Sequence, residues 1–352
     1  MPGNTKKLSA FKIAATYTGT VIGAGFASGR EILQFFGNFG AMGLLGLLIV
    51  TVFFIAYGYI IMDLGYRIQS PSYIEIIRLS GGKYFGILVD SMISFFLFGA
   101  VATMIAASGA LFNQQFALHS VTGGIFMTVI TVITVFMGIS GLVNSMSALI
   151  PALLAVAVGT SIFSALSAQY HPYSIPQLTS SDSLVGNWLT SAVLYVSYNI
   201  ATAIAVLGPL GKEAVNKKAI RDGAIYGGLA LGICALAIYL AMYKNISTLS
   251  NVELPMVFIA NSISPIFQIV YSLVLLAAIY STSAGNLYGF ASRILDIEGP
   301  KGKILVSLVA ILAFIAGQFG FANLIKYMYP IEGYLGVILL GGLLYSKVKF
   351  SG

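Results

Sequence analysis

The residues with the most chemistry to offer lie inside the first apolar run of the chain. There Gly23-Ala24-Gly25-Phe26-Ala27-Ser28-Gly29 is followed by the charged pair Arg30-Glu31. Glycines at 19, 23, 25 and 29 weaken a helix at that point. In an apolar medium, the backbone N–H and C=O groups released by such a break are costly unless they face protein, ligand or a water-filled cavity. Ser28-Gly29-Arg30-Glu31 has the pattern of a capping box, with Ser28 as N-cap and Glu31 bonding back to the cap. A second half-helix is therefore expected to start there. Its open N–H groups at residues 27–30 and its positive dipole end suit an anionic group such as a substrate carboxylate. Carbonyls freed at residues 19–22, at the C-terminal end of the first half-helix, suit a cation, since hard cations prefer oxygen ligands. The alternative is close helix packing of the Gly-xxx-Gly kind, through Gly19/Gly23 and Gly25/Gly29. Packing accounts for neither the cap nor an Arg–Glu pair at this depth.

Two other polar stretches interrupt long apolar runs. Ser197-Tyr198-Asn199 sits in the sixth run and is expected to face the bundle interior, either breaking the helix beside a ligand or bonding between helices. Tyr280-Ser281-Thr282-Ser283-Ala284-Gly285-Asn286 in the eighth run offers hydroxyls to a cation, or bonds back to the preceding turn. Asp63 and Asp90, near the cytoplasmic ends of their helices, are expected either to snorkel or to pair with Arg67 and Lys83, respectively. Arg30 and Glu31 in the first run, with Lys326 and Glu332 in the tenth, lie in the outer half. They form a candidate gate in which Arg30–Glu332 is the leading pair, or alternatively Glu31 or Glu332 carries a coupling proton. An enzyme is disfavoured: His119 and His171 fall in outer loops, and no H-E-x-x-H, G-x-S-x-G or P-loop pattern occurs. The lone Cys234 supports neither a disulfide framework nor a thiolate metal site.

The elements that must position these groups are membrane-spanning helices. Of 352 residues, 58% are hydrophobic and 8% charged, against roughly 25% charged in soluble domains. Apolar runs near 10–38, 41–66, 84–112, 121–139, 142–168, 187–210, 219–243, 266–292, 303–319 and 323–346 are each about the length of a bilayer crossing. The division of 121–168 rests on 138–144 alone. With both termini in the cytoplasm, every Lys and Arg except Arg30, Lys244 and Lys326 falls on the inner side, as the positive-inside rule requires. That distribution also explains the net charge of +7 without nucleic acid. Lys6, Lys7 and Lys12 before an apolar run resemble a signal peptide with residues 24–27 as its cleavage site. The run stays apolar to Phe39, so the segment is expected to remain. The longest outer loops are 168–186, with His171 and Asp182, and 244–265, whose 251–262 stretch fits a short helix over the outer face. Ten runs in a single transmembrane domain divide into five-helix halves, 8–168 and 187–346, which an odd number per half makes antiparallel.

With these motifs in place, the chain resembles the amino acid–polyamine–organocation superfamily with the leucine-transporter (LeuT) fold. More closely it is similar to the YkvI-type bacterial membrane proteins, through residues 23–32, Tyr195-Val196-Ser197-Tyr198-Asn199, its length and its layout. The resemblance implies an all-α membrane fold, a 5+5 inverted repeat with helices one and six broken at mid-membrane. It implies a solute site lined by Gly23, Ala24, Gly25, Phe26, Ala27 and Ser28 with Ser197, Tyr198 and Asn199. A Na⁺ site would use carbonyls of Gly19, Ile22 and Ala278 and hydroxyls of Ser281 and Thr282. The expected function is symport of an amino acid or other small organic solute across the cell membrane, coupled to Na⁺ or H⁺, with no other cofactor. The alternative is a ligand-sensing receptor subunit that does not transport. The chain departs from neurotransmitter-type members in lacking Gly-Asn pairs in helix one and in having ten spans, so substrate identity does not carry over.

Overall fold

A computed structural model of the protein describes residues 7–69, 73–137, 140–167, 184–243, 245–297 and 299–349. The first span comprises α1 (Ala10–Val21), α2 (Ala24–Ala27) and α3 (Arg30–Phe36). It is followed by α4 (Ala41–Ile68), α5 (Tyr73–Phe116), α6 (Ser120–Phe136) and α7 (Ser140–Ser167). Beyond the long loop come α8 (Trp188–Lys212), α9 (Lys217–Tyr243) and the short pair α10 (Ile246–Leu249) and α11 (Pro255–Ile263). Then come α12 (Pro265–Ala291), α13 (Pro300–Gly317) and α14 (Phe321–Lys349). Each of the ten runs read from the sequence corresponds to one span, and α11 occupies the stretch expected to lie over the outer face. Residues 168–183, with His171 and Asp182, lie outside the described residues, as does Lys244.

Helix ends follow local chemistry. Asn187 caps α8, its side-chain oxygen accepting from the N–H groups of Leu189 (3.0 Å) and Thr190 (2.9 Å). Proline opens α11, α12 and α13 at the first turn, where its missing N–H costs nothing. Seven described helices are long and apolar enough to cross a membrane. Their outward faces carry exposed aliphatic side chains, as on α13, where Ile304, Leu308, Ile311, Leu312 and Ile315 are each more than half exposed. An apolar belt of that extent is a lipid-facing surface. The buried faces carry small residues that let backbones close up. A β-carbon on Gly211 of α8 would overlap the carbonyl of Met62 on α4, and one on Gly65 of α4 would overlap that of Gly208.

Two sequence expectations are corrected here. The sixth span is unbroken: α8 runs through Ser197-Tyr198-Asn199 as regular helix. Ser197 donates to the carbonyls of Leu194 (2.9 Å) and Gly333 (2.6 Å), and the Asn199 amide donates to Tyr195 O (2.8 Å). These side chains satisfy themselves on helix carbonyls, so their polarity does not require a break. Asp90 is not paired with Lys83, which stands about two helical turns away; it faces Arg293 at 3.4 Å and accepts from the Tyr73 hydroxyl at 3.0 Å. Asp63 does hold Arg67 (2.8 Å), and it also holds Lys347 (2.6 Å), joining α4 to α14. The chain before α1 is tied to the α8–α9 connection, the Leu8 N–H donating to Glu213 O at 2.8 Å.

Candidate functional site

The first span is interrupted twice, six residues apart. At the first gap Ile22 (φ −77°, ψ 99°) and Gly23 (φ −111°, ψ −173°) are extended, separating α1 from the single turn of α2. At the second, Gly29 adopts a left-handed conformation (φ 79°) that only glycine enters without strain, and α3 begins at Arg30. The capping box is therefore displaced. Gly29 occupies the N-cap position, and Ser28 (φ −62°, ψ −18°) stays helical instead of extended. Its hydroxyl donates to Gly25 O (2.6 Å) and accepts from the Arg30 N–H (3.2 Å). Glu31 makes no return bond to the cap; its carboxyl turns into the bundle, where the Tyr198 hydroxyl donates to it at 2.5 Å.

The two gaps differ in their hydrogen bonding. At the second, the N–H groups of Ala27, Ser28 and Gly29 donate to Gly23, Ala24 and Phe26, so the donors expected to be open at 27–30 are taken. The carbonyl of Ala27 accepts from the Tyr271 hydroxyl (2.6 Å), and that of Ser28 accepts from the Met256 N–H (3.0 Å), anchoring α2 to α12 and α11. At the first gap nothing in the described protein takes over. The carbonyls of residues 19–22 and the N–H groups of residues 23–26 have no hydrogen-bond partner among the described residues. Open donors thus lie one turn earlier than the sequence indicates.

The groups around that first gap come from α3, α8, α12 and α14. Glu31 lies against Gly25, where a β-carbon would overlap its carboxyl oxygen. The Tyr198 ring is stacked on Phe35 (centroids 5.7 Å, planes 24° apart) and packs on Tyr195 (5.5 Å) and Tyr329 (5.0 Å). Glu332 of α14 is 3% exposed, lies against Gly99 of α5, and interacts electrostatically with Glu31. The Thr282 hydroxyl lies 3.8 Å from the position of a β-carbon on Gly23, and the Ser281 hydroxyl donates to Ala278 O (3.1 Å).

The expected Arg30–Glu332 gate does not form. Arg30 donates to the carbonyls of Ser250 and Val252 (both 2.9 Å), with Glu253 within electrostatic range. Glu332 faces inward, since Ile331 and Tyr334 take the exposed side of that turn. Lys326 lies over the Tyr327 ring (5.3 Å) and joins neither carboxyl. Ser197 and Asn199 are buried but bonded to helix carbonyls, leaving Tyr198 as the member of its triplet that reaches the gap. The sequence does not single out Phe35, Tyr329 and Tyr271, and Tyr195 enters there only within the family motif. Tyr195/Tyr198 and Tyr329/Glu332, each three residues apart on one helix face, were the available signals.

No protein-family model matches the chain. The YkvI membrane protein of Bacillus subtilis (strain 168) is 31% identical over 347 residues, 97% of this chain and 97% of that protein. Among solved structures, MhsT in complex with L-phenylalanine superposes with a TM-score of 0.65 at 16% identity, over 98% of this chain and 93% of that one. A Na⁺-coupled sialic acid symporter in its substrate-bound outward-open state superposes with a TM-score of 0.61 at 14% identity, over 96% and 79%. At such identities the likeness speaks for the fold, which is that of LeuT. On sequence, the chain belongs to the YkvI family of bacterial membrane proteins.

Proposed function

We propose that this protein is a secondary transporter, not an enzyme, that carries a small organic solute across the cell membrane by alternating access coupled to a cation. The observation that carries this reading is the first gap in the first span. Carbonyls and N–H groups without partners inside a membrane bundle are tolerated where they meet a ligand, an ion or water. The solute binds against Gly23, Ala24, Gly25 and Phe26, facing Tyr198. Ala27 and Ser28 shape the turn behind it, and Ser197 and Asn199 hold α8 in register. Na⁺ is the favoured coupling ion over H⁺, held by the carbonyls of Gly19, Ile22 and Ala278 with the hydroxyls of Ser281 and Thr282. The position of Thr282 beside Gly23 supports this assignment. Both termini are cytoplasmic, and the halves 8–168 and 187–346 form the inverted pair. The fold likeness to MhsT and to a Na⁺-coupled symporter is in keeping with this function.

The test begins with thermal melting of the purified full chain against amino acids, amines and sugars, with and without Na⁺, because a ligand that binds the folded state raises its melting temperature. The stabilising solute is then offered, radiolabelled, to proteoliposomes. Concentrative uptake under an inward Na⁺ gradient is the expected result. Binding without accumulation under either a Na⁺ or a proton gradient would instead identify a sensor.

A further inference from the structure

Four consecutive residues of α12, Tyr280, Ser281, Thr282 and Ser283, carry hydroxyls. An α-helix turns by about 100° per residue, so Tyr280 and Ser283 stand roughly 60° apart on one face while Ser281 and Thr282 share the opposite one. The structure uses both faces. On one, Thr282 lies beside Gly23 of the first span. On the other, both hydroxyls meet α6: the Thr131 hydroxyl donates to that of Ser283 (3.2 Å), and the Thr134 hydroxyl lies 2.7 Å from that of Tyr280. Thr134 directs its single proton at Ile130 O (2.7 Å), so the Tyr280 hydroxyl is the donor of that pair. Thr131 is 1% exposed and Ser283 fully buried, so water does not compete for their bond.

The two α6 threonines are three residues apart and share one helix face. Aliphatic packing between α6 and α12 resists separation but changes little with small rotations, whereas a hydroxyl pair fixes both a distance and a direction. Two such pairs nearly a turn apart set the rotation of α12 about its own axis. The consequence is felt on the opposite face. A side-chain oxygen about 5 Å from the axis moves by roughly 1 Å when the helix turns by about 10°. Ligand distances at an ion site tolerate roughly 0.2 Å. The groups that aim Ser281 and Thr282 therefore lie on α6, a helix with no residue in the proposed cation or solute site.

We propose that Thr131 and Thr134 are positioning residues for the cation site, holding α12 in the rotation that presents the hydroxyls of Ser281 and Thr282 to the carbonyls freed at the first gap. This role rests on Na⁺ as the coupling ion, and the two fail separately. A wild type without a Na⁺ response refutes the Na⁺ site and the positioning role with it. A wild type that responds, with threonine variants that respond alike, refutes the positioning role alone.

The experiment is thermal melting of the full chain in nanodiscs against Na⁺ alone, with K⁺ as the replacing ion at constant ionic strength. The wild-type midpoint rises saturably with Na⁺. Thr131→Val and Thr134→Val keep the side-chain shape without the hydroxyl, and each raises the half-maximal Na⁺ concentration about tenfold or more, the scale of lost outer-shell support at metal ligands. Thr131→Ser and Thr134→Ser keep the wild-type value. Tyr280→Phe matches Thr134→Val, and the two together cost no more than either alone. Ser272→Ala is the structural control. It removes the α12 hydrogen bond to Gln115 (3.0 Å) about two turns away, lowers the midpoint at every Na⁺ concentration and leaves the half-maximal concentration unchanged. The proposal is overturned if both valine variants respond to Na⁺ within twofold of wild type, if the serine variants respond like the valine ones, or if Ser272→Ala shifts the response as far as they do. Should a valine variant fail to give monodisperse protein, Tyr280→Phe, at a partly exposed position, still decides.

Discussion

Replacing Gly25 by alanine adds a single methyl group at the point where the first span, Glu31 and Tyr198 meet. That methyl would overlap a carboxyl oxygen of Glu31 and come within 2.9 Å of its carboxyl carbon, so the side chain must swing away. The hydrogen bond from the Tyr198 hydroxyl, 2.5 Å long, is then lost or stretched. A buried hydrogen bond to a carboxyl contributes about 1–3 kcal/mol. At 1.4 kcal/mol per factor of ten, solute affinity falls roughly 5- to 150-fold. Helix formation does not suffer, because Gly25 lies in the short turn of α2 with helical backbone and alanine has the better helix propensity. Titration of the stabilising solute into wild type, Gly25→Ala, Tyr198→Phe and the double variant measures this directly. Both single variants act through the placement of one carboxyl, so the double variant should lose much less than the sum. Gly25→Ala protein that binds within twofold of wild type, or strictly additive losses, would refute the placement of Glu31 at the binding site.

Other consequences are as direct. Tyr271→Phe removes the donor to Ala27 O (2.6 Å) and leaves a buried carbonyl unpaired, lowering stability by about 1–3 kcal/mol; thermal melting in detergent reads this, and an unchanged midpoint would contradict it. Thr282→Val and Ser281→Ala should raise the Na⁺ concentration for half-maximal stimulation of solute binding about tenfold or more, whereas if H⁺ is the coupling ion the Na⁺ response is absent from wild type as well. Asp63→Asn leaves Arg67 and Lys347 without their shared carboxylate and loosens α4 from α14. The cost should fall below the ~3–5 kcal/mol of a fully buried pair, because both cations are partly exposed. A lowered melting midpoint with solute affinity retained is the expected pattern.

The spans were legible because a bilayer imposes one period and one length, and ten apolar runs met it. The break in the first span was legible for the same reason: glycines clustered at mid-depth have few uses in an apolar helix. Hydrogen-bond partners were not legible. Ser197 and Asn199 read as an interruption because polar side chains in lipid are costly, yet each bonds to a helix carbonyl and α8 stays whole. Ser28 matched a capping pattern whose local spacing is silent on backbone conformation, and the left-handed turn at Gly29 moved the cap by one residue. Glu31 read as half of an outer gate. Its direction was decided by that turn and by Tyr198, a residue 167 positions later in the chain. Arg30 was likewise settled by carbonyls of a distant loop.

Uptake by proteoliposomes holding the purified chain tests the central claim most directly, using the solute that most raises its melting temperature. Under an inward Na⁺ gradient, internal solute should rise above the external concentration, collapse when the gradient is dissipated, and be abolished by Gly25→Trp in correctly inserted protein. Solute that binds at Gly25 yet never exceeds its external concentration, under either a Na⁺ or a proton gradient, would contradict transport.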